Sequence, residues 1–208
     1  MQTLKRIARP ALLALAACTA SACTSTYTGP VEVTRFVSEQ PALLGQGTIT
    51  LSFPEEMENM SARNAFASAV ADELSSLGYR VILDGSEQAA NVAVIRTSRN
   101  AVEVADAGSP VRVGVGAGTG SYGSGLGLGV GINLGGGSRG PRVLTDLSVR
   151  ISGPDGASLW EGRAQQPTSI KSPYADVEAS ARTLAAALFN DFPGGNGETI
   201  SIDVDQLR

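Results

Sequence analysis

The sequence predicts an α+β fold: an antiparallel or mixed sheet with two helices packed on one face, plus a glycine-rich β-hairpin or loop. Three observations carry this. Several short segments alternate apolar and polar residues with period two, two segments repeat apolar residues every three or four positions, and a tract in the middle is half glycine. The 208 residues are 42% apolar and 17% charged, enough to form one compact domain.

Val31 to Val37 is a less regular strand, and Gly47 to Phe53 a clear one, with Ile49, Leu51 and Phe53 on one side. Asn59 or Ser61 then caps a helix whose apolar stripe is Phe66, Val70, Leu74 and Leu77, stopped by Gly78. Tyr79 to Leu83 and Asn91 to Thr97 are rich in β-branched residues and predict two more strands, with a short extra piece at Ala101 to Val104. Leu144 to Ser152, the turn Gly153-Pro154-Asp155-Gly156, and Ala157 to Ala164 predict a hairpin. Ser172-Pro173 reads as a helix start, followed by the stripe Val177, Ala181, Leu184 and Leu188, and Ile200, Ile202 and Val204 alternate in a last strand.

The glycine tract, Gly114 to Gly137, holds 12 of the 25 glycines. In its first arm Val111, Val113, Val115 and Ala117 are odd-numbered. In its second, Leu126, Leu128, Val130, Ile132 and Leu134 are even, and the phase flips near Ser121-Tyr122. A long hairpin turning near Thr119 to Ser124 would give each arm one aliphatic and one bare face. Glycine weakens a strand by about 0.5–1 kcal/mol per residue, so such a hairpin needs cover from the domain's own helices, a second copy or lipid; otherwise the tract is a loop. The candidate interaction residues are Val115, Tyr122, Leu126, Leu128, Val130 and Ile132, together with Trp160 on the second strand of the later hairpin. As the only tryptophan, Trp160 suits a core or sheet-face anchor better than a ligand-stacking residue.

The N-terminal segment has the layout of an export signal. Lys5, Arg6 and Arg9 precede the apolar run Ala11 to Ala17, which is too short to stay as a membrane span. Leu15-Ala16-Ala17-Cys18 resembles the lipobox of bacterial lipoproteins, in which the cysteine sulfur carries diacylglycerol and cleavage falls just before it. Ala20-Ser21-Ala22-Cys23 matches less well, lacking the large aliphatic residue. An ordinary secretory signal, with the two cysteines paired in a disulfide loop, is the alternative. Each buried methylene contributes about 0.8 kcal/mol, and several acyl chains anchor stably where one does not. The expected organisation is a signal at 1–17, a small polar tether at 18–30, and one periplasmic domain at 31–208 with a glycine-rich insertion at 111–140. Thr19 is not the aspartate that retains lipoproteins in the inner membrane, so the resemblance places the protein at the outer membrane, facing the periplasm.

Catalytic chemistry finds little support. There is no histidine, which excludes histidine-based triads and histidine-liganded zinc. Removal of the signal leaves 13 basic and 20 acidic residues, with Lys171 the single lysine and no basic stripe for nucleic acid. Thr168 stands where Ser-x-x-Lys would need serine, leaving only Ser169 and Ser172 beside Lys171. Gly118 to Gly123 matches GxGxxG by composition alone, without a following helix or a Walker lysine. Glu55, Glu56 and Glu58 fit the start of a helix, where negative charge is favoured, and Asp203 and Asp205 fit the polar phase of a terminal strand. No EF-hand spacing occurs, and no cofactor is expected.

The lipobox, Pro30-Val31-Glu32-Val33-Thr34-Arg35-Phe36, Gly47-Thr48-Ile49, the tract from Ser109-Pro110-Val111 to Gly137, and Leu188-Phe189-Asn190-Asp191-Phe192-Pro193-Gly194 together resemble the bacterial envelope lipoproteins of the domain of unknown function numbered 4136. The resemblance spans about residues 31 to 205. It implies an envelope location and an α+β fold, and brings no catalytic residues. The expected function is a non-enzymatic lipoprotein held in the membrane by acylated Cys18, whose domain binds another envelope protein or itself. The alternative is lipid or small-ligand handling beside an envelope transporter.

Overall fold

A computed structural model describes residues 26–39, 41–54, 59–83, 85, 87–102 and 141–207. Seven strands form one mixed sheet: β1 (Val31–Val37), β2 (Thr48–Ser52), β3 (Arg80–Ile82), β4 (Asn91–Val102), β5 (Arg142–Ser152), β6 (Ser158–Ser169) and β7 (Thr199–Ile202). Their spatial order is β3-β2-β4-β5-β6-β1-β7. β2 runs parallel to both β3 and β4, and every other pairing is antiparallel. Two helices, α1 (Met60–Ser76) and α2 (Val177–Phe189), complete the α+β architecture.

The helices share one face because they have one core to cover. α1 packs over β3 and β4, α2 over β1, β5 and β6, and the two helices touch each other. Between them and the sheet lie Phe66, Val70 and Leu74 of α1, Ala181, Leu184 and Leu188 of α2, and Ile49, Ile95, Leu147, Val149 and Ile151 of the sheet. Alternation sends the intervening residues to the opposite face, where Asp146 pairs with Arg163 at 2.6 Å and accepts from Gln165 at 2.6 Å. Period-two patterning thus divides a greasy face from a polar one.

Local chemistry sets the helix ends. Asn59, rather than Ser61, caps α1, its side chain accepting from the Ala62 amide at 3.0 Å. Gly78 follows at φ +103°, and a Cβ there would meet the Gly45 carbonyl oxygen at 2.8 Å, so the helix must stop at a glycine. The second helix differs from expectation. Ser172-Pro173 opens only a short 3-10 turn, Pro173–Ala175, and α2 begins later, capped by Asp176, whose carboxylate accepts from the amides of Glu178 and Ala179. Asp176 is extended, at ψ 145°, and this separates turn from helix.

The hairpin is longer than its alternating core predicts. β5 and β6 pair from Arg142↔Ser169 down to Ser152↔Ser158, with a register shift after Ile151. The extra residue there is Leu159, which lets Leu159 and Trp160, sequence neighbours, both be buried. β4 likewise extends through Ala101 and Val102, whereas 103 and 104 lie outside the described residues. β7 ends at Ile202, paired with Val31, because the next partner, Pro30, has no amide proton to offer. Val204 and Asp205 therefore enter a short 3-10 turn, with Asp203 at its cap position, instead of continuing the strand.

Candidate functional site

Among the described residues, the irregular segment at the foot of the expected tether is bound to β6 by several hydrogen bonds. Tyr27 to Gly29 lies beside β6: the Ser169 amide donates to the Tyr27 carbonyl and the Gly29 amide to the Pro167 carbonyl, both at 2.8 Å. Gln166 Nε2, buried, donates to the Gly29 carbonyl at 3.0 Å, and the Thr28 and Ser172 hydroxyls are 2.8 Å apart. Gly29 is needed for this approach, since a Cβ would come within 2.8 Å of both Pro167 Cγ and the Tyr27 hydroxyl. The Arg142 guanidinium sits over the Tyr27 ring, 3.9 Å from its centroid.

The same end of the sheet holds the described residues that flank the segment bearing the glycine tract, which itself lies outside the described residues. Val102, the last residue of β4, pairs with Arg142, the first of β5, and Arg142 pairs in turn with Ser169. Val102 and Arg142 are therefore adjacent, and the tether root is bound two strands from Val102. Around this end, Arg99 donates to the Ala175 carbonyl and Ser180 Oγ to the Tyr174 carbonyl at 2.7 Å, fixing the 172–176 turn above the sheet.

Of the candidate interaction residues, Val115, Tyr122, Leu126, Leu128, Val130 and Ile132 lie outside the described residues, as do Cys18, Cys23 and Glu55 to Glu58. Trp160 is described, and its place corrects its candidacy as an interaction residue: it is 1% exposed. Its ring stacks on Phe189 at 5.3 Å, its indole Nε1 donates to the Pro193 carbonyl at 2.9 Å, and no surface remains for a partner. Lys171 is exposed, and its amide, not its ammonium, is what reaches Ser169 Oγ, at 3.3 Å. Ser172 Oγ accepts from the Tyr174 amide at 3.2 Å while bonded to Thr28. These are the bonds of a tight turn, which the sequence showed only as a helix start.

A concavity of about 470 Å³ lies between α1 and α2 and is lined by Asn64, Ala65, Ser68, Asp72, Glu178 and Arg182 among others. Its walls mix polar and apolar surface and open to solvent. Next to it, burial raises the Glu73 carboxyl above its ordinary value, with the Asp72 charge adding to the shift. Among the described residues no three carboxylates or other ligating groups gather to hold a metal, and no helix is long and apolar enough to cross a membrane.

Two arginines, Arg35 and Arg142, are buried in the frame, and Arg35 ties a strand to a helix end. Arg35 of β1 donates from Nε to the Leu188 carbonyl at 2.9 Å and from Nη2 to the Ala187 carbonyl at 2.8 Å, satisfying the last turn of α2. Burial pulls its pKa down, and the Asp191 carboxylate opposes the shift.

No known protein family matches the sequence, nor does any curated protein. Among solved structures, two crystal forms of the PelC dodecamer from Paraburkholderia phytofirmans, one of a point variant, are similar at 14% identity and TM-score 0.45. They cover 76% of this chain and 92% and 93% of theirs. A PDZ domain protein from Parabacteroides distasonis is similar at the same identity and TM-score, over 84% of this chain and 39% of that one.

Proposed function

We propose that the chain is a non-enzymatic cell-envelope lipoprotein of the domain of unknown function 4136 kind, acylated at Cys18 and held in the outer membrane with its domain in the periplasm. Its task in this reading is to bind another envelope protein or a second copy of itself through the glycine tract. The observation that carries it is the pairing of Val102 with Arg142 beside the bound tether root. An insertion leaving and re-entering at paired neighbours emerges as one excursion, which agrees with the hairpin reading of its alternating arms. Its location at the tether end would present it close to the membrane, where copies concentrated in two dimensions meet readily.

The test is acyl labelling and fractionation of wild type and Cys18→Ala, followed by crosslinking of wild type and of a chain whose residues 111–140 are replaced by a short turn. Wild type is expected to carry label and float with membranes, and Cys18→Ala to lose both. The shortened chain is expected to keep its label but lose its crosslinked species. An unlabelled wild type, or a crosslinking pattern indifferent to the tract, overturns the corresponding half of the reading.

A further inference from the structure

We propose that the tether end of the sheet rests on the bilayer itself, with Ile170 and Lys171 in the lipid headgroup layer. The proposal rests on the acylation of Cys18 and deepens that reading by assigning the domain an orientation.

The length of the tether supplies the first argument. Eight residues lie between Cys18 and Tyr27, and even fully extended the nine steps from one to the other span only about 30 Å. Because Tyr27 and Gly29 are hydrogen-bonded to Ser169 and Pro167, the tether begins at one fixed end of β6. The other end, at Ser158, is about 36 Å further along the strand at about 3.3 Å per residue. An inverted domain, with that far end against the bilayer, would put Tyr27 beyond the reach of the tether, so the 169–174 corner belongs to the end that can face the membrane.

The groups displayed at that corner fit a headgroup layer. Ile170 is 54% exposed, although it lies between well-packed neighbours, Thr168 and Ser172. Beside it stands Lys171, the sole lysine of the mature chain, with the half-buried phenols Tyr27 and Tyr174 close by. An aliphatic tip, an ammonium and two phenols are the residue types that enter the interface between water and hydrocarbon. The corner is rigid: the Ser172 amide donates to the Ser169 carbonyl at 2.9 Å, the Ile170 amide to the Pro141 carbonyl at 3.3 Å, and Ser172 Oγ bonds Thr28. Its presentation costs no ordering on contact.

The surrounding charges set the tilt. Arg142 is stacked on Tyr27, and Arg99 is bonded to Ala175. Asp176 is engaged by the first amides of α2. Asp203 and Asp205 follow β7 at this same end of the sheet, since Ile202 pairs with Val31, but two strands from β6; anionic lipid repels that edge, so the sheet end meets the bilayer tilted, with the β6 corner nearer to it.

The test uses full-length acylated protein in vesicles of phosphatidylethanolamine and phosphatidylglycerol, with Cys23→Ser and a single environment-sensitive label at Pro173→Cys or Ala157→Cys. Flotation reports the anchor separately. With flotation intact, the label at 173 is expected to shift to the blue and to be quenched several-fold more by doxyl lipids than the label at 157. Adding Ile170→Asp is expected to return the 173 label to the value in water while flotation persists. A 173 label that reads water on floating wild type overturns the orientation but leaves the anchor standing. A blue shift without lipid quenching means that protein covers the corner, and overturns it as well. Loss of flotation overturns both readings.

Discussion

The Arg142 guanidinium lies 3.9 Å from the centroid of the Tyr27 ring, and this contact joins the first residue of β5 to the root of the tether. It couples the place where the chain leaves the glycine tract to the place where the domain begins.

Replacing Tyr27 by leucine removes the cation–π contact while keeping bulk. The expected cost is about 1–2 kcal/mol for a desolvated pair. Hydrogen exchange should quicken at the Ser169 and Gly29 amides, which bind this segment to β6, before it quickens in the core. Unchanged protection at those two amides would show that the ring does not hold the tether root.

Arg35→Met retains the stem but withdraws two donors from the Ala187 and Leu188 carbonyls. Hydrogen bonds from charged groups contribute about 1.5–3 kcal/mol, and the carbonyls left behind are buried at the helix end, so a loss of about 2–3 kcal/mol in urea unfolding is expected. Arg35→Lys should rescue little, because an ammonium cannot reproduce the planar fork.

Gly162→Ala tests the aromatic cluster. A Cβ at this position would overlap the Trp160 ring and approach Leu188 Cδ1 to 2.8 Å. Overpacking of this kind costs about 1–3 kcal/mol, and near-UV circular dichroism should show the Trp160 environment altered, since its stacking on Phe189 must shift.

Glu73→Gln should stabilise the domain at neutral pH. Burial, then Asp72, raises this carboxyl above its ordinary value of 4.5. A folded state that holds its proton more tightly than the unfolded chain loses stability as pH rises from the ordinary value through the folded one. The penalty is therefore larger at pH 7 than at pH 4, and it stays under about 1 kcal/mol because much of the group is in solvent. Thermal unfolding of both proteins at pH 7 and pH 4 checks this: a gain in Tm at pH 7 that shrinks at pH 4 is expected, and an equal gain at both contradicts the cause.

Elements with a local chemical signature were legible in the chain. Asn59 before a three-and-four stripe and Gly78 after it defined α1, and Gly153-Pro154-Asp155-Gly156 between alternating runs located the hairpin, because caps and turns are decided by near neighbours. The start of α2 was misread, since Ser172-Pro173 has the chemistry of a helix cap. Bonds of Ser172 to Thr28 and of Arg99 to Ala175, from residues distant in sequence, add to the local bonds that hold that stretch as a separate turn.

The lipobox resemblance at Cys18, the two-face patterning of the sheet and the polar tether can all be read from one residue to the next. Tertiary structure alone decided that β2 lies parallel to β3 and β4, and that the tether root, Val102 and Arg142 share one end of the sheet. Strand order and register depend on which apolar faces meet across the whole chain, and periodicity within a segment carries no information about its neighbour in space.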